Sequence, residues 1–306
     1  MIKGIDLFAG AGGFTEGAVD ADVNVVWAAN HWPTAVETHL LNHPATLHAC
    51  QDLKQADWSQ VPKHDVMLAS PECKGHTPAR GKEQKHHDSS RSTAWAVVDC
   101  AEYHRQEVFV IENVQEFINW QLYPAWEQAL KILGYTLSPH FVDVADHGVP
   151  QNRKRVFIVG SRSKAPLTLN LPKREHKGIG QFIDWQHPRW SPVVKKGRSK
   201  ATLARVKNGR REFGERFVMP YYSSGSGLTG RDLARPLGTV TTVDRWAVVD
   251  GDRMRMLSAK EYQVAMGFRD NYKFAASDKR TIIHLLGNAV PPQAATDILR
   301  ELQRAA

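Results

Sequence analysis

Lys3-Gly-Ile-Asp-Leu7-Phe8-Ala-Gly10-Ala11-Gly12-Gly13-Phe14 is the stretch from which the architecture follows. Lys3 to Leu7 reads as a short strand, and a helix is expected from about Thr15 to Asp20. A strand joined to a helix through a glycine-rich turn is a cofactor cradle: glycine lets the backbone come close, and the helix start presents N–H groups without partners. The spacing is not GxGxxG, which favours a ligand carrying a carboxylate, such as an amino-acid moiety, over a pyrophosphate. Such glycines also serve plain tight turns.

Working outward, Val23 to Ala29 reads as a second strand ending at Asn30-His31-Trp32-Pro33, with a helix from about Pro33 to Asn42. Residues at that strand end are placed to meet a ribose. Trp32 suits stacking on a purine or a place in the core, and Asp52 of Gln51-Asp52-Leu53 could accept from an adenine amino group. Val66 to Ala69 reads as a buried strand that stops at Pro71, with Cys73 following. Val108 to Ile111 is another, followed at once by Glu112-Asn113. If these two strands are parallel neighbours, Cys73 and Glu112 emerge at the same edge as a nucleophile and a proton donor. The alternatives are a buried, inert thiol and a helix cap. From Cys73 to Arg91 the chain is polar and basic, includes Arg80 and Lys82, and reads as a loop that closes on substrate. His86-His87 has no further ligand at sensible spacing, so no metal is expected.

Helices are expected at about Ser92–His104 and Leu122–Leu133, and strands at Thr136–Val144 and Arg155–Gly160. The short connection between those strands, with Gln151-Asn-Arg153-Lys-Arg155, implies an antiparallel hairpin at the sheet edge. Residues 162–182 mark a domain boundary. Net charge is +8 over 306 residues, and residues 173–216 hold 13 Lys and Arg against 4 acids. A block of that sign suggests a polyanion, most simply nucleic acid, or a solvated face. Thr239–Val243 and Arg245–Val249 read as strands, and Ser258–Met266 as a helix opened by a capping box with Glu261. Leu286-Gly-Asn288-Ala-Val290-Pro-Pro292 leads into a last helix, about Gln293–Gln303. No apolar run approaches the roughly 18 residues of a membrane span. Cys50, Cys73 and Cys100 form no CxxC pair, which argues against zinc or a disulfide framework. With no signal peptide evident, the expected location is the cytoplasm. The expected fold is α/β: a mostly parallel sheet with an antiparallel edge hairpin, and a smaller second domain.

In this order the motifs resemble those of the cytosine-C5 DNA methyltransferase family. Asp6-Leu-Phe8-Ala-Gly10-Ala11-Gly12-Gly13 resembles its first motif, Ser70-Pro-Glu-Cys73 its nucleophile loop, and Glu112-Asn113-Val114 its Glu-Asn-Val motif. Gln151-Asn-Arg153-Lys-Arg155 matches Gln-x-Arg-x-Arg, Arg255 to Phe268 resembles the ninth motif, and Gly287-Asn288-Ala-Val290-Pro291 the tenth. Only the basic segment lies outside these, where the family keeps its target-recognition domain. The resemblance implies a Rossmann-like methyltransferase fold, with residues 1–165 and 283–306 forming the catalytic domain and 166–282 the recognition domain. It implies S-adenosylmethionine held by Phe8, Gly10, Ala11, Gly12, His31, Trp32, Asp52, Leu53, Asn288 and Val290. Cys73, Glu112, Arg153 and Arg155 become the catalytic set, attacking C6 of a flipped-out cytosine to activate C5. Arg80, Lys82, Arg198, Arg210, Arg211 and Thr239 become the nucleic-acid contacts. Double-stranded DNA is the implied partner of a monomer, with a cognate restriction endonuclease as a further partner to look for. Transfer RNA as acceptor and a non-catalytic DNA-binding homologue are the alternatives. Four places depart from the family pattern: Glu72 for proline, Lys74 for glutamine, His31 for an acid, and Gly75-His76-Thr77 in the loop. Glu72 raises the Cys73 thiol pKa by like charge and Lys74 opposes it.

Overall fold

The structure, a computed structural model, describes residues 1–72, 92–221 and 229–305. Cys73, Arg80 and Lys82, and with them the expected closing loop, lie outside the described residues. The larger sheet is built from β1 (Ile2–Leu7), β2 (Val23–Asn30), β3 (Leu47–Cys50), β4 (Val66–Ala69), β5 (Val108–Asn113), β6 (Thr136–Asp143) and β7 (Lys154–Ser161). Their order is β3-β2-β1-β4-β5-β7-β6, parallel from β3 to β5, with β7 antiparallel to both β5 and β6. The chain therefore leaves β1 toward β2 and returns on its other side at β4. That reversal opens a crevice above the carboxyl ends of the strands. The helices are α1 (Gly13–Asp20), α2 (Pro33–Asn42), α3 (Trp95–His104), α4 (Tyr123–Ile132), α5 (Lys200–Phe213), α6 (Ala259–Ala265), α7 (Lys279–Asn288) and α8 (Pro292–Ala305).

Successive strand residues point to opposite faces, and here both faces are covered. Ile5, Leu7, Met67, Phe109 and Ile111 pack on α3 and α4 through Val97, Ala101, Trp126 and Leu130. Val23, Val25, Leu68 and Val110 pack on α1 and α8 through Phe14, Ala18, Ile298 and Leu302. Strands buried on both sides read as unbroken apolar runs, as Val66–Ala69 does. The smaller sheet is antiparallel, in the order β8-β11-β10-β9, from β8 (Ser191–Pro192), β9 (Arg216–Pro220), β10 (Trp246–Asp250) and β11 (Arg253–Met256). Val206 of α5 packs on one of its faces, against Phe217, Met219 and Val249. The other face, through Val218, Trp246 and Val248, joins α6 and α7 and reaches Ala11 and Ala35 of the larger lobe.

Two sequence expectations fail here. Thr239–Val243 is not a strand. Its backbone is bonded by side chains instead: Gln151 Oε1 accepts from Val240 N and Arg153 donates to Val240 O. The basic segment, which shows only weak periodicity, contains the fourteen-residue helix α5. Its buried side presents Thr202, Arg205, Val206 and Gly209, so it has little apolar stripe to read, although Ser199 caps it by accepting from Thr202 N. Helix α7, not read from the sequence, buries Ile283, Leu285 and Leu286. It starts at Asp278, which accepts from Thr281 N. The capping box at Ser258 and Glu261 is present as read.

Candidate active site

A cavity of about 330 Å³ opens in the crevice at the carboxyl ends of β1, β2, β4 and β5, within the range of small-ligand sites. One wall is the turn after β1. Phe8 lies at φ 62° and Gly10 at φ 54°, both in the left-handed region, and both line the cavity. A phenylalanine in that region is strained at a cost of order 1–3 kcal/mol, which the surroundings must hold in place. They do so: Ser70 Oγ donates to Phe8 O at 3.2 Å, and the Tyr272 hydroxyl donates to Ala11 O. Gly12, at φ 86°, has no room for a side chain, since a Cβ would lie 2.6 Å from the Tyr272 oxygen. At Gly10 the same atom would meet only Phe8 O, at 3.8 Å. Helix α1 begins behind that turn with no side-chain cap from Gly12, and the Asp6 carboxyl takes the Thr15 amide.

Asn30 Oδ1 accepts from Trp32 N at 2.9 Å and shapes the end of β2, so that His31 and Trp32 face the same cavity. The Trp32 ring lies 5.1 Å from that of His284, which lines the opposite wall on α7 with Asn288. The other expected cofactor residues stand off this wall. Ala11, Leu53 and Val290 are buried in apolar clusters, and Gly12 sits behind the turn. Asp52 is exposed and accepts from Lys54 N at 3.0 Å.

Beneath the turn runs a buried chain of hydrogen bonds whose direction is set when Asp6 is ionised. The Thr15 hydroxyl donates to Asp6 Oδ2 at 2.8 Å, so Thr15 Oγ1 must accept from His39 Nε2 at 3.0 Å. His39 Nδ1 then accepts from His48 Nε2 at 2.8 Å. Burial pushes the Asp6 carboxyl up to about 7 and holds His39 well below the usual imidazole range.

The other end of the cavity carries the titratable groups. Ala69 of β4 is in register with Ile111 of β5, so the residues after each emerge side by side. Glu112, only 6% exposed, has Oε1 2.8 Å from Arg155 Nε, a contact with ionic distance but without aligned N–H geometry. The pairing follows from register. Glu112 faces Phe157 on β7, and Arg155, two residues along, shares that face. Asn113 Nδ2 donates to Pro71 O at 3.2 Å while its Oδ1 accepts from Val114 N at 2.9 Å, which ties the exit of β4 to the end of β5. Glu72 N donates to Thr93 Oγ1 at 3.1 Å, and Glu72 lines the cavity beside Glu112. Sequence reasoning did not single out Asn30, Ser70 or His284, although Asn30 lay at the strand end read as meeting a ribose and Ser70 in the stretch resembling the nucleophile loop.

Arg153, 3% exposed, donates through Nη1 to Val240 O at 2.9 Å and through Nη2 to Gly287 O at 2.9 Å and Ala289 O at 3.3 Å. Its guanidinium ties three carbonyls, and the cation at Glu112 is Arg155. Several expected nucleic-acid contacts are likewise committed within the fold. Arg198 donates to Val193 O, Pro192 O and Ser191 Oγ, Arg210 to Gly251 O and Asp252, and Thr239 Oγ1 to Asn152 O at 3.0 Å. Arg211 is exposed. Among the described residues no cluster of His, Cys, Asp and Glu could hold a metal ion, and no helix is long and apolar enough to cross a membrane.

Comparison with known proteins gives this geometry a context. The profile of the family described as C-5 cytosine-specific DNA methylase matches residues 2–304. A Type II methyltransferase of Neisseria lactamica, M.NlaX, is 30% identical over 95% of this chain and 92% of its own. The Type II methyltransferase M.MthTI of Methanothermobacter thermautotrophicus is 25% identical over 97% and 96%. Among solved structures, a DNA modification methyltransferase encoded within an Escherichia coli prophage superposes with a TM-score of 0.73 at 18% identity, covering 100% of this chain and 99% of its own. The DNMT2 of Spodoptera frugiperda superposes with 0.72 at 15%, covering 99% and 100%. The cavity suits S-adenosylmethionine: Phe8 and Trp32 offer faces for its base, and Gly10 leaves open space on the same wall. Matched from end to end, with this fold and this cavity, the chain belongs to the C-5 cytosine-specific DNA methylase family, which moves a methyl group from S-adenosylmethionine to C5 of cytosine in DNA.

Proposed function

We propose that Cys73, Glu112 and Arg155 carry the methylation in this chain, with Arg153 as a positioning residue. The observation that carries the reading is the buried Glu112–Arg155 pair beside Glu72, whose next residue in the chain is Cys73. Cytosine C5 is too weak a nucleophile to take a methyl group directly. Attack of the Cys73 thiolate on C6 makes an S–C6 bond and moves the C5=C6 electron pair toward C5 and N3. Glu112, hydrogen-bonded at N3, and the adjacent Arg155 steady the charge that develops. Bound S-adenosylmethionine supplies a methyl group on a cationic sulfur. After transfer to C5, loss of the C5 proton returns an electron pair to the ring and expels the thiolate. Phe8, Gly10, His31, Trp32 and Asn288 hold the cofactor, and Ala11, Gly12, Asp52, Leu53 and Val290 shape the site from behind. Arg153 keeps the 240 segment and the 287–289 segment in one place.

The acceptor is duplex DNA with the target base flipped out, since its carbons are hidden in the stack. Residues 166–282 form the recognition domain of a cytoplasmic, monomeric modification enzyme; the naming of its relatives as Type II methyltransferases supports the modification role, with a cognate restriction endonuclease as a partner to look for. Incubation with labelled cofactor and cytosine-containing duplexes tests the reading: label should appear at C5. It should vanish in Cys73→Ser. Label on no C5 in the wild type would end the proposal.

A further inference from the structure

Asp6 closes the base of the turn after β1 and is itself sealed from solvent, at 0% exposed. Its carboxyl takes both the hydroxyl of Thr15, at 2.8 Å, and the Thr15 amide, so the two residues bracket the segment from Leu7 to Phe14. That segment holds the strained Phe8 and walls the cavity with Phe8 and Gly10. Hydrogen bonds to an ionised acceptor are roughly twice as strong as those to a neutral one. The charge on Asp6 therefore decides how firmly the turn is closed. Strand register gives that charge a route to the surface. Asp6 faces Ala28 on β2 and Ala28 faces His48 on β3, which sets Asp6 and His48 on one face of the sheet, roughly 10 Å apart. Thr15 of α1 and His39 of α2 fill the interval; both are buried, whereas His48 is half-buried on the edge strand.

The line from Asp6 through Thr15 and His39 to His48 is unbroken, with 3.0 Å from Thr15 Oγ1 to His39 Nε2 and 2.8 Å from His39 Nδ1 to His48 Nε2. With Asp6 ionised, every proton on it points toward the carboxylate. A proton taken up at His48 Nδ1 inverts the line. His48 Nε2 gives its proton to His39 Nδ1, His39 Nε2 to Thr15 Oγ1, and the Thr15 hydroxyl to Asp6 Oδ2. Each of these three groups gives one proton and gains one; His48 ends neutral with its proton on Nδ1, and the net change is a neutral Asp6. We propose that Asp6 exchanges its proton with solvent along this line, and that the exchange weakens the hold on S-adenosylmethionine as pH falls, with His39 and His48 as positioning residues. The assignment rests on the reading that this turn holds the cofactor. Burial lifts the Asp6 carboxyl to about 7, which puts the exchange near neutral pH. Burial lowers His48, against a backbone hydrogen bond at Thr46 that favours its proton, so the ring passes a proton on rather than keeping it. The other charged groups around the line are Glu16 and Asp20 on α1, His43 on α2, and Arg269 and Tyr272 after α6. Arg269 pairs with Glu16 at 2.9 Å and with Asp20, and His43 lies 3.6 Å from Glu16. Burial holds Tyr272 neutral, and β2 and β4 bring only Ala28 and Leu68 alongside Asp6.

The test is calorimetric titration of the whole chain with S-adenosylmethionine at pH 8 and pH 6. The wild type should bind about tenfold more weakly at pH 6, within the tenfold per pH unit that one linked proton permits. Thr15→Val keeps the shape of the side chain and removes the hydroxyl that joins Asp6 to His39. It should bind weakly at both values, and Thr15→Ser, which restores the hydroxyl, should restore the difference. Any contribution from the cofactor's own amino group is common to all three proteins. In nitrogen-15 spectra of the wild type, the His39 proton should move from Nε2 to Nδ1 with the same midpoint as the affinity. A merely structural His39 would keep one tautomer throughout, and that result would overturn the relay. So would a Thr15→Val chain that follows the wild-type profile. Equal wild-type affinity at the two values would overturn the pH gate and leave the turn as the cofactor's seat; no binding at either would remove both. Two of these readouts come from the wild type, so they decide the matter even where Thr15→Val fails to fold. None needs methyl transfer, so the roles of Cys73 and Glu112 do not enter.

Discussion

Removing the Arg155 guanidinium would leave the Glu112 carboxylate, 6% exposed, without the cation that now lies 2.8 Å away. An uncompensated buried charge costs about 3–5 kcal/mol, so Arg155→Ala should lose about that much stability in urea unfolding. Adding Glu112→Gln removes the stranded charge, and the double variant should recover a good part of the loss. Simple additivity of the two substitutions would mean the residues do not depend on each other. Both single variants should also lose turnover. Asn113 poses a separate question at the same scale. Its amide donates to Pro71 O and its carbonyl accepts from Val114 N. Asn113→Asp keeps the acceptor and loses the donor, so it isolates the tie to the exit of β4. Turnover should fall while the KM for S-adenosylmethionine stays near its original value, because the cofactor wall is elsewhere. A raised KM with unchanged turnover would remove Asn113 from its role in holding that exit.

Between elements, α7 approaches the 240 segment closely at the site. A Cβ on Gly287 would lie 2.5 Å from Thr241 O and from Thr242 N. Neither side can retreat freely, because Arg153 bonds both Val240 O and Gly287 O. Gly287→Ala should therefore cost about 2 kcal/mol or more, in the range of overpacked cores, and should raise the cofactor KM as His284 and Asn288 shift. Unchanged stability in urea would show that the segment can yield. This contact also marks where sequence reading stops. The large-sheet strands β1, β2, β4 and β5 were legible because both of their faces are buried. The edge strand β3, Leu-His-Ala-Cys, was not, because its residues are exposed or half-buried and carry no pattern. Thr239–Val243 has strand-forming residues, yet its backbone partners are the side chains of Gln151 and Arg153, which no local propensity encodes. The site followed the same division. That the ends of β4 and β5 lie side by side could be read from two apolar runs. Which arginine faces Glu112 could not, because it depends on the antiparallel register between β5 and β7.

Over the whole molecule, the buried imidazoles and one buried carboxyl fix how stability varies with pH. His39 is held well below its usual range, and His43 and His64 are lowered to about 4, chiefly by burial in each case. His43 lies 3.6 Å from Glu16, which favours its proton, but burial and the neighbouring His48 and Arg269 outweigh that contact. Unfolded, all three histidines would take up protons near 6.5; folded, they resist until about 4 or below. Between those values the unfolded chain binds more protons, so stability is present above pH 6.5 and is lost as pH falls, by up to about 1.4 kcal/mol per pH unit for each group. Asp6 acts in the opposite sense. Raised to about 7, it binds its proton more tightly in the folded chain, so its contribution falls as pH rises from about 4 to 7. His48, His104 and His140 are lowered as well, chiefly by burial, and Glu16 and Asp99 are raised like Asp6, so the histidines outnumber the acids and stability climbs from pH 4 toward 6.5. Urea midpoints across this range would trace the climb. His43→Phe keeps a ring against His39 and Tyr272, 4.8 and 6.3 Å from the present one, and removes one of the titrating groups. The acid-side slope should become shallower in that variant. A slope unchanged by His43→Phe would mean that His43 already carries its proton in the folded protein, matched by Glu16.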